Sequence, residues 1–277
     1  MSHPPPPPPG LNPPPPGWHD RLAEVESQLA AEHRLAAELQ HILLPIPATP
    51  VDLGALRVAV RYLPAERANR VGGDWFHAAE APDGSVVLAV GDVAGHGLGA
   101  AATMAQVRHA LATLLITTTT APAELLAHLN HVLLAAGADT RTVTAVVARY
   151  DATTGTLTWA QAGHPPPLHA RGGRTIELDR PSGPLLGAFR EPCYGTAVTA
   201  LDAHDLLVFY TDGLVEHRRH SLAEGLAPVV ETLDRISGAR GPAPLSDLLA
   251  QLPPANPEDD TCILAVRLLA RDVIGGA

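Results

Sequence analysis

Hydrophobic and polar positions change period several times along the chain. From Trp18 to Leu44, the residues Leu22, Val25, Leu29, Ala36, Leu39 and Leu43 occupy heptad a and d positions, with Glu32 the one polar d. That spacing predicts an amphipathic helix, and Pro45 and Pro47 end it. About four heptads make a short isolated coiled coil. Two readings stay open: a helix laid on its own domain, or a dimerising or signalling helix. Ahead of it, residues 1–17 are mostly proline, in the blocks Pro4 to Pro9 and Pro13 to Pro16. Such a tail has no core to bury and is expected to be extended or disordered.

From Leu56 the period becomes two. Val58, Val60 and Tyr62 alternate with Arg57, Ala59 and Arg61, which predicts a half-buried strand. A mostly apolar strand, Ser85 to Gly91, follows the turn Pro82-Asp83-Gly84. Helical spacing returns over Leu98 to Leu115, and again behind Pro122, which suits the first turn of a helix. Thr142 to Tyr150 and Thr156 to Ala162 flank the turn Asp151 to Gly155 as a hairpin. Leu206 to Thr211 and Cys262 to Leu268 are further apolar strands, separated by a helical stretch, Leu222 to Leu252. Hairpins dominate and regular βαβ alternation is missing, so the class is α+β with antiparallel sheets.

Composition narrows the chemistry. A chain of 277 residues, 46% hydrophobic, can bury one sizeable core. Its net charge is −10, and all 19 basic residues are Arg. The acidic balance counts against a nucleic-acid surface, which needs a basic stripe. Without Lys, a P-loop and a Lys Schiff base are both excluded. Cys193 and Cys262 form no CxxC pair and read as structural thiols. No apolar run is long enough to cross a membrane. The chain opens on prolines rather than on a charged segment followed by an apolar one. A cytoplasmic protein without membrane attachment is expected.

Four acidic sites carry the candidate chemistry. Asp74 sits in Val71-Gly-Gly-Asp74-Trp75, Asp92 ends the strand that starts at Ser85, Asp212 follows the strand that starts at Leu206, and Asp259-Asp260 precede the last strand. Carboxylates at those strand ends can meet at one sheet edge. There they would repel one another, and burial would raise their pKa values. Hard divalent cations such as Mg²⁺ or Mn²⁺ resolve that conflict. His96 is read as orienting its loop more readily than as a ligand.

At these residues the sequence resembles a known family. Leu39 to Pro45 (LQHILLP), Arg61 to Ala65 (RYLPA), Val71 to Trp75 (VGGDW), Gly91 to Gly97 (GDVAGHG), Ala162 to Leu168 (AGHPPPL), Tyr210 to Leu214 (YTDGL) and Glu258 to Thr261 (EDDT) occur in that order. They resemble the SpoIIE/RsbU branch of the PPM-type (PP2C-like) serine/threonine phosphatases, over roughly Leu39 to Leu269.

The resemblance implies a four-layer αββα sandwich with two stacked antiparallel sheets. It implies a phosphatase domain over 48–270, behind the tail 1–17 and the helix 18–47, and ahead of a tail 271–277. It implies two Mn²⁺ or Mg²⁺ ions held by Asp74, Asp92, the Val93 carbonyl, Asp212 and Asp259, and a metal-activated water that attacks phosphorus. Asp74 and Asp92 carry the catalytic role. Matching the motif favours Asp259 over Asp260. The implied substrate is a phosphoserine or phosphothreonine protein of the anti-sigma-factor antagonist type, with a homodimer through helix 18–44 as a further expectation. The competing readings are a non-catalytic interaction module that keeps the fold and a phosphatase for a small metabolite. Arg70, before the VGGD motif, is a candidate for holding phosphate, though a surface role suits it better. His77 stands where the family commonly has Asp.

Overall fold

The computed structural model describes residues 21, 23–27, 31, 38–39, 41–65, 72–137, 141–216, 221–239, 241 and 243–270. These form eleven strands among the described residues: β1 (Val51–Leu53), β2 (Leu56–Leu63), β3 (Trp75–Glu80), β4 (Val86–Val93), β5 (Val143–Asp151), β6 (Thr156–Ala162), β7 (Leu168–Arg171), β8 (Arg174–Glu177), β9 (Ala197–Ala200), β10 (Leu206–Tyr210) and β11 (Thr261–Leu268). Four α-helices accompany them: α1 (Leu98–Thr117), α2 (Pro122–Ala135), α3 (Leu222–Ser237) and α4 (Leu245–Gln251).

The strands make two antiparallel sheets, ordered β1-β2-β11-β10-β7-β8 and β3-β4-β5-β6-β9. α1 lies on β3 and β4 and α2 on β5 and β6, while α3 lies on β7 and β8 and α4 on β2 and β11. The inner faces meet where β4 touches β10 and β11. The layers are therefore αββα, as expected. A central strand covered by a helix on one face and a sheet on the other should be apolar on both. All eight residues of β11 are accordingly buried, and so are seven of the eight in β4.

Two groups of buried side chains result. One joins the two sheets to α1 and α2, around Trp75, Trp159, Met104 and Leu129. The other lies under α3 and α4, around Leu233, Leu248, Tyr210 and Ile263. Helix ends follow local rules. Pro122 opens α2. Ser221 and Glu224 form a capping box at α3, where Ser221 N donates to Glu224 Oε2 at 2.7 Å.

Most of the helix expected over 18–44 lies outside the described residues. Its C-terminal end packs on the domain: Leu44 is fully buried within the first group, and the Leu43 carbonyl accepts a bond from Arg108 at 2.8 Å. Among the described residues no helix is long and apolar enough to cross a membrane. Cys193 is exposed and Cys262 buried, and they are unpaired.

Five strands were not expected from the pattern: β1, β3, β7, β8 and β9. β3 carries His77, Ala78, Ala79 and Glu80, without apolar alternation, and is fixed by pairing with β4. The β7–β8 hairpin turns on Gly172 and Gly173, both at positive φ as a two-residue turn requires. β9 is a four-residue edge strand beside β6.

Candidate active site

The strand ends bring the aspartates to one edge. Trp75 pairs with Gly91, so Asp74, just ahead of β3, lies beside Asp92 near the end of β4. Tyr210 pairs with Ile263, so Asp212, two residues beyond β10, lies beside the segment 259–260 that leads into β11. Contact between β4 and β10 brings the two pairs together.

Charge and burial show how near they are. Asp74 is 2% exposed, and its carboxyl is pushed well above the usual range, by burial first and by the charge of Asp92 second. Burial and the charge of Asp212 push Asp92 up to about 7. Asp212 is raised by burial and by Asp259. Among the described residues, none of these four carboxylates has an ion-pair partner.

Asp259 and Asp260 divide the work at their junction. The Asp260 carboxylate turns inward and accepts a bond from Ala65 N at 3.1 Å. The Tyr62 hydroxyl stands beside it, and a Cβ on Gly72 would fall 2.3 Å from both groups. Asp259 is exposed, accepts from Asp260 N at 2.9 Å, and acts on the titration of Asp212 and Asp92. Asp260 is felt at the same edge, since its charge acts on Asp74 and Asp92. His96 is exposed in its loop and near enough to Asp260 to affect its titration. Arg70 and Val71 lie outside the described residues.

Glycine makes the close approach possible at Gly73. A Cβ there would fall 2.5 Å from the Val93 carbonyl oxygen and 3.0 Å from Asp92 Oδ1. The Val93 carbonyl is thus held against the loop that carries Asp74.

Several supporting residues escaped the sequence reading. Thr211 Oγ1 donates to Asp74 Oδ2 at 2.7 Å and accepts from Cys262 N at 2.8 Å. His164 is buried, and burial lowers its pKa to about 3, so it is neutral at physiological pH. Its Nε2 faces the Tyr210 carbonyl at 3.0 Å, and its Nδ1 faces Thr144 Oγ1 at 2.9 Å. A carbonyl only accepts, so Nε2 carries the proton and Nδ1 accepts from Thr144. Thr144 pairs with Asp92 across the ladder, and Tyr210 lies two residues before Asp212. One neutral imidazole thereby ties the Asp92 strand pair to the Asp212 strand. The signals were a hydroxyl directly ahead of Asp212 and the His of AGHPPPL, but their partners lie far away in sequence.

The donor set is all-oxygen and anionic, which fits hard divalent cations. As they stand, no three His, Cys, Asp or Glu side chains among the described residues form a cage ready to hold one. The carboxyls feel one another's charge without closing on a single point, so a cation would have to draw them in.

Comparison with known proteins bears on the family and the fold. The model of the family described as Stage II sporulation protein E (SpoIIE) matches residues 82–269. The chain is 27% identical over 204 residues to phosphoserine phosphatase RsbU of Bacillus subtilis (strain 168), covering 72% of this chain and 58% of RsbU. It is 30% identical to a crystal structure of the RsbU and RsbW domains of a Mycobacterium tuberculosis protein, with TM-score 0.69, covering 81% of this chain and 62% of that one. The SiaA-PP2C domain of Pseudomonas aeruginosa shares the fold at 20% identity and TM-score 0.70, covering 89% and 99% of the two chains. The chain thus spans less than two thirds of the first two. Two stacked antiparallel sheets between helical layers, with carboxylates at one edge, place the protein in the PP2C-like class. Within it, the chain belongs to the SpoIIE family, in the SpoIIE/RsbU branch of the PPM-type proteins.

Proposed function

We propose that this protein is a metal-dependent serine/threonine phosphatase acting on a phosphoprotein, and that Asp74, Asp92, the Val93 carbonyl, Asp212 and Asp259 hold two Mn²⁺ or Mg²⁺ ions. The observation that carries the reading is the run of raised carboxyls, Asp74, Asp92 and Asp212, gathered at one edge without counter-charge among the described residues. Such a cluster is unfavourable in isolation, and a bound cation relieves it. Bound Mn²⁺ or Mg²⁺ supplies a Lewis acid that readies water near neutral pH and neutralises phosphoryl charge.

The chain's own residues set up that chemistry. Thr211 fixes one Asp74 oxygen. The Thr144–His164–Tyr210 relay keeps the Asp92 and Asp212 strands in register with each other. Asp260, bound by Ala65 N, anchors the segment that leads from Asp259 into β11. No thiol or hydroxyl nucleophile is required: Cys262 is buried, and burial first of all raises its thiol far above its usual range.

The expected substrate is a phosphoserine or phosphothreonine regulator of the anti-sigma-factor antagonist type, met in the cytoplasm. RsbU, named a phosphoserine phosphatase, supports this. Dimerisation through helix 18–44 belongs to the same proposal, and light scattering of the full chain against one beginning at residue 45 tests it. For the activity, purified protein with Mn²⁺ should release phosphate from a phosphoserine peptide and lose that activity in EDTA. Absence of release with both Mn²⁺ and Mg²⁺ would overturn the reading.

A further inference from the structure

A cleft of about 430 Å³ opens beside the aspartates; Asp92 and Asp212 line it together with Thr144, His164, Glu177, Arg180 and other residues. Its charge is almost wholly negative, since Glu216 lines it as well. Even with cations on Asp92 and Asp212, a phosphate dianion entering it would meet the charges of Glu177 and Glu216. Arg180 is the one cation in this lining among the described residues.

Arg180 is aimed by a buried frame. Its Nη2 donates to the His164 carbonyl at 2.8 Å, and His164 is the imidazole that links the Asp92 and Asp212 strands. Gln161, 3% exposed, grips the same segment from beneath. Its Oε1 accepts from His164 N at 3.0 Å, and its Nε2 donates to the Pro181 carbonyl at 2.6 Å. Gly163 N donates to the Gly183 carbonyl at 3.1 Å, which lays the segment 180–183 across 161–164. The guanidinium charge is felt at Tyr210 and at His164. No carboxylate lies within ion-pairing distance of Arg180 among the described residues. One N–H is thus committed to the frame, and a charged fork remains to face the cleft.

We infer that Arg180 is a substrate-binding residue that takes the phosphoryl oxygens of the incoming phosphoserine and of the inorganic phosphate product. The inference rests on the phosphatase reading of the same edge. A planar guanidinium suits this task because it can meet two phosphoryl oxygens at once. Charge at that position also offsets the acidic walls, so its effect should fall on binding more than on turnover.

The test uses the Mn²⁺-loaded full chain with a phosphoserine peptide and p-nitrophenyl phosphate, together with inhibition by inorganic phosphate and its binding by calorimetry. R180A should raise KM for both substrates, and weaken phosphate inhibition and binding, by about tenfold, as for loss of one charge-assisted contact. Its kcat should change little. R180K should recover part of the loss. R180Q carries no charge, so it should behave as R180A does; R174A, in β8 and outside the cleft lining, should match wild type. A wild-type-like R180Q would show that Arg180 only props the frame and overturn the inference. Unchanged phosphate binding in R180A would overturn it too, including where KM rises for the peptide alone. An active wild type with an indifferent R180A fells this inference alone. A wild type that binds phosphate through Arg180 without turnover fells the phosphatase reading alone.

Discussion

Replacing Asp92 by Asn should stabilise the metal-free protein while weakening its response to metal. In the folded chain, burial and the charge of Asp212 push the Asp92 carboxyl from 3.8 up to about 7. A rise of that size corresponds to roughly 4 kcal/mol at full effect. Partial exposure, and the hydrogen bond with Asp74 that opposes the rise, bring the expected gain to about 1–2 kcal/mol. Between pH 3.8 and about 7 the folded state binds more protons than the unfolded one. Stability of the metal-free protein therefore falls across that window, and this contribution is level above it. D92N removes the penalty, and its amide can donate to the Asp74 carboxylate. Urea denaturation in EDTA should show D92N more stable than wild type at pH 8, with the gap closing toward pH 4. Adding Mn²⁺ should stabilise wild type and not the variant, reversing the order. A D92N protein no more stable than wild type at pH 8 in EDTA, or a gap that ignores pH, would refute the charge-crowding argument.

Three further changes probe the supports of the site. T211V should cost about 2–4 kcal/mol in urea denaturation, because Asp74 Oδ2 and Cys262 N each lose a buried partner. G73A should cost about 1–3 kcal/mol and weaken Mn²⁺ binding in calorimetry, because its Cβ would fall 2.5 Å from the Val93 carbonyl oxygen. Away from the site, burial alone would raise Asp205, but hydrogen bonds from His169 and Arg171 hold it down at about 2. That stability is present above about pH 4 and lost as pH falls through about 2. D205N should therefore lower the thermal midpoint at pH 7, and the difference should shrink in acid.

What could be read from the sequence follows physical range. β4 and β11 were legible because strands covered on both faces must be apolar throughout, and SVVLAVG and CILAVRL are nearly so. Asp92, Asp212 and Asp259 were legible because each lies at the end or the start of an apolar strand, and Asp74 because it sits in a Gly-Gly-Asp turn. β3 was not, because His77, Ala78 and Ala79 have no alternation and owe their strand to the β4 ladder. The Gly172-Gly173 turn was a local signal that had been passed over. Thr211 and His164 lie in the quoted motifs, while Gln161 and Arg180 carry no local signature; the roles of all four arise from partners far away in sequence. The preference for Asp259 over Asp260 rests on the motif match, because the charges of both residues reach Asp92.

Calorimetric titration of Mn²⁺ into wild type, D92N and D212N tests the shared metal edge most directly. Wild type should bind Mn²⁺ with measurable heat, and each single variant should lose most of that binding although Asp92 lies in one sheet and Asp212 just beyond a strand of the other. Two variants that bind Mn²⁺ as wild type does would contradict the account.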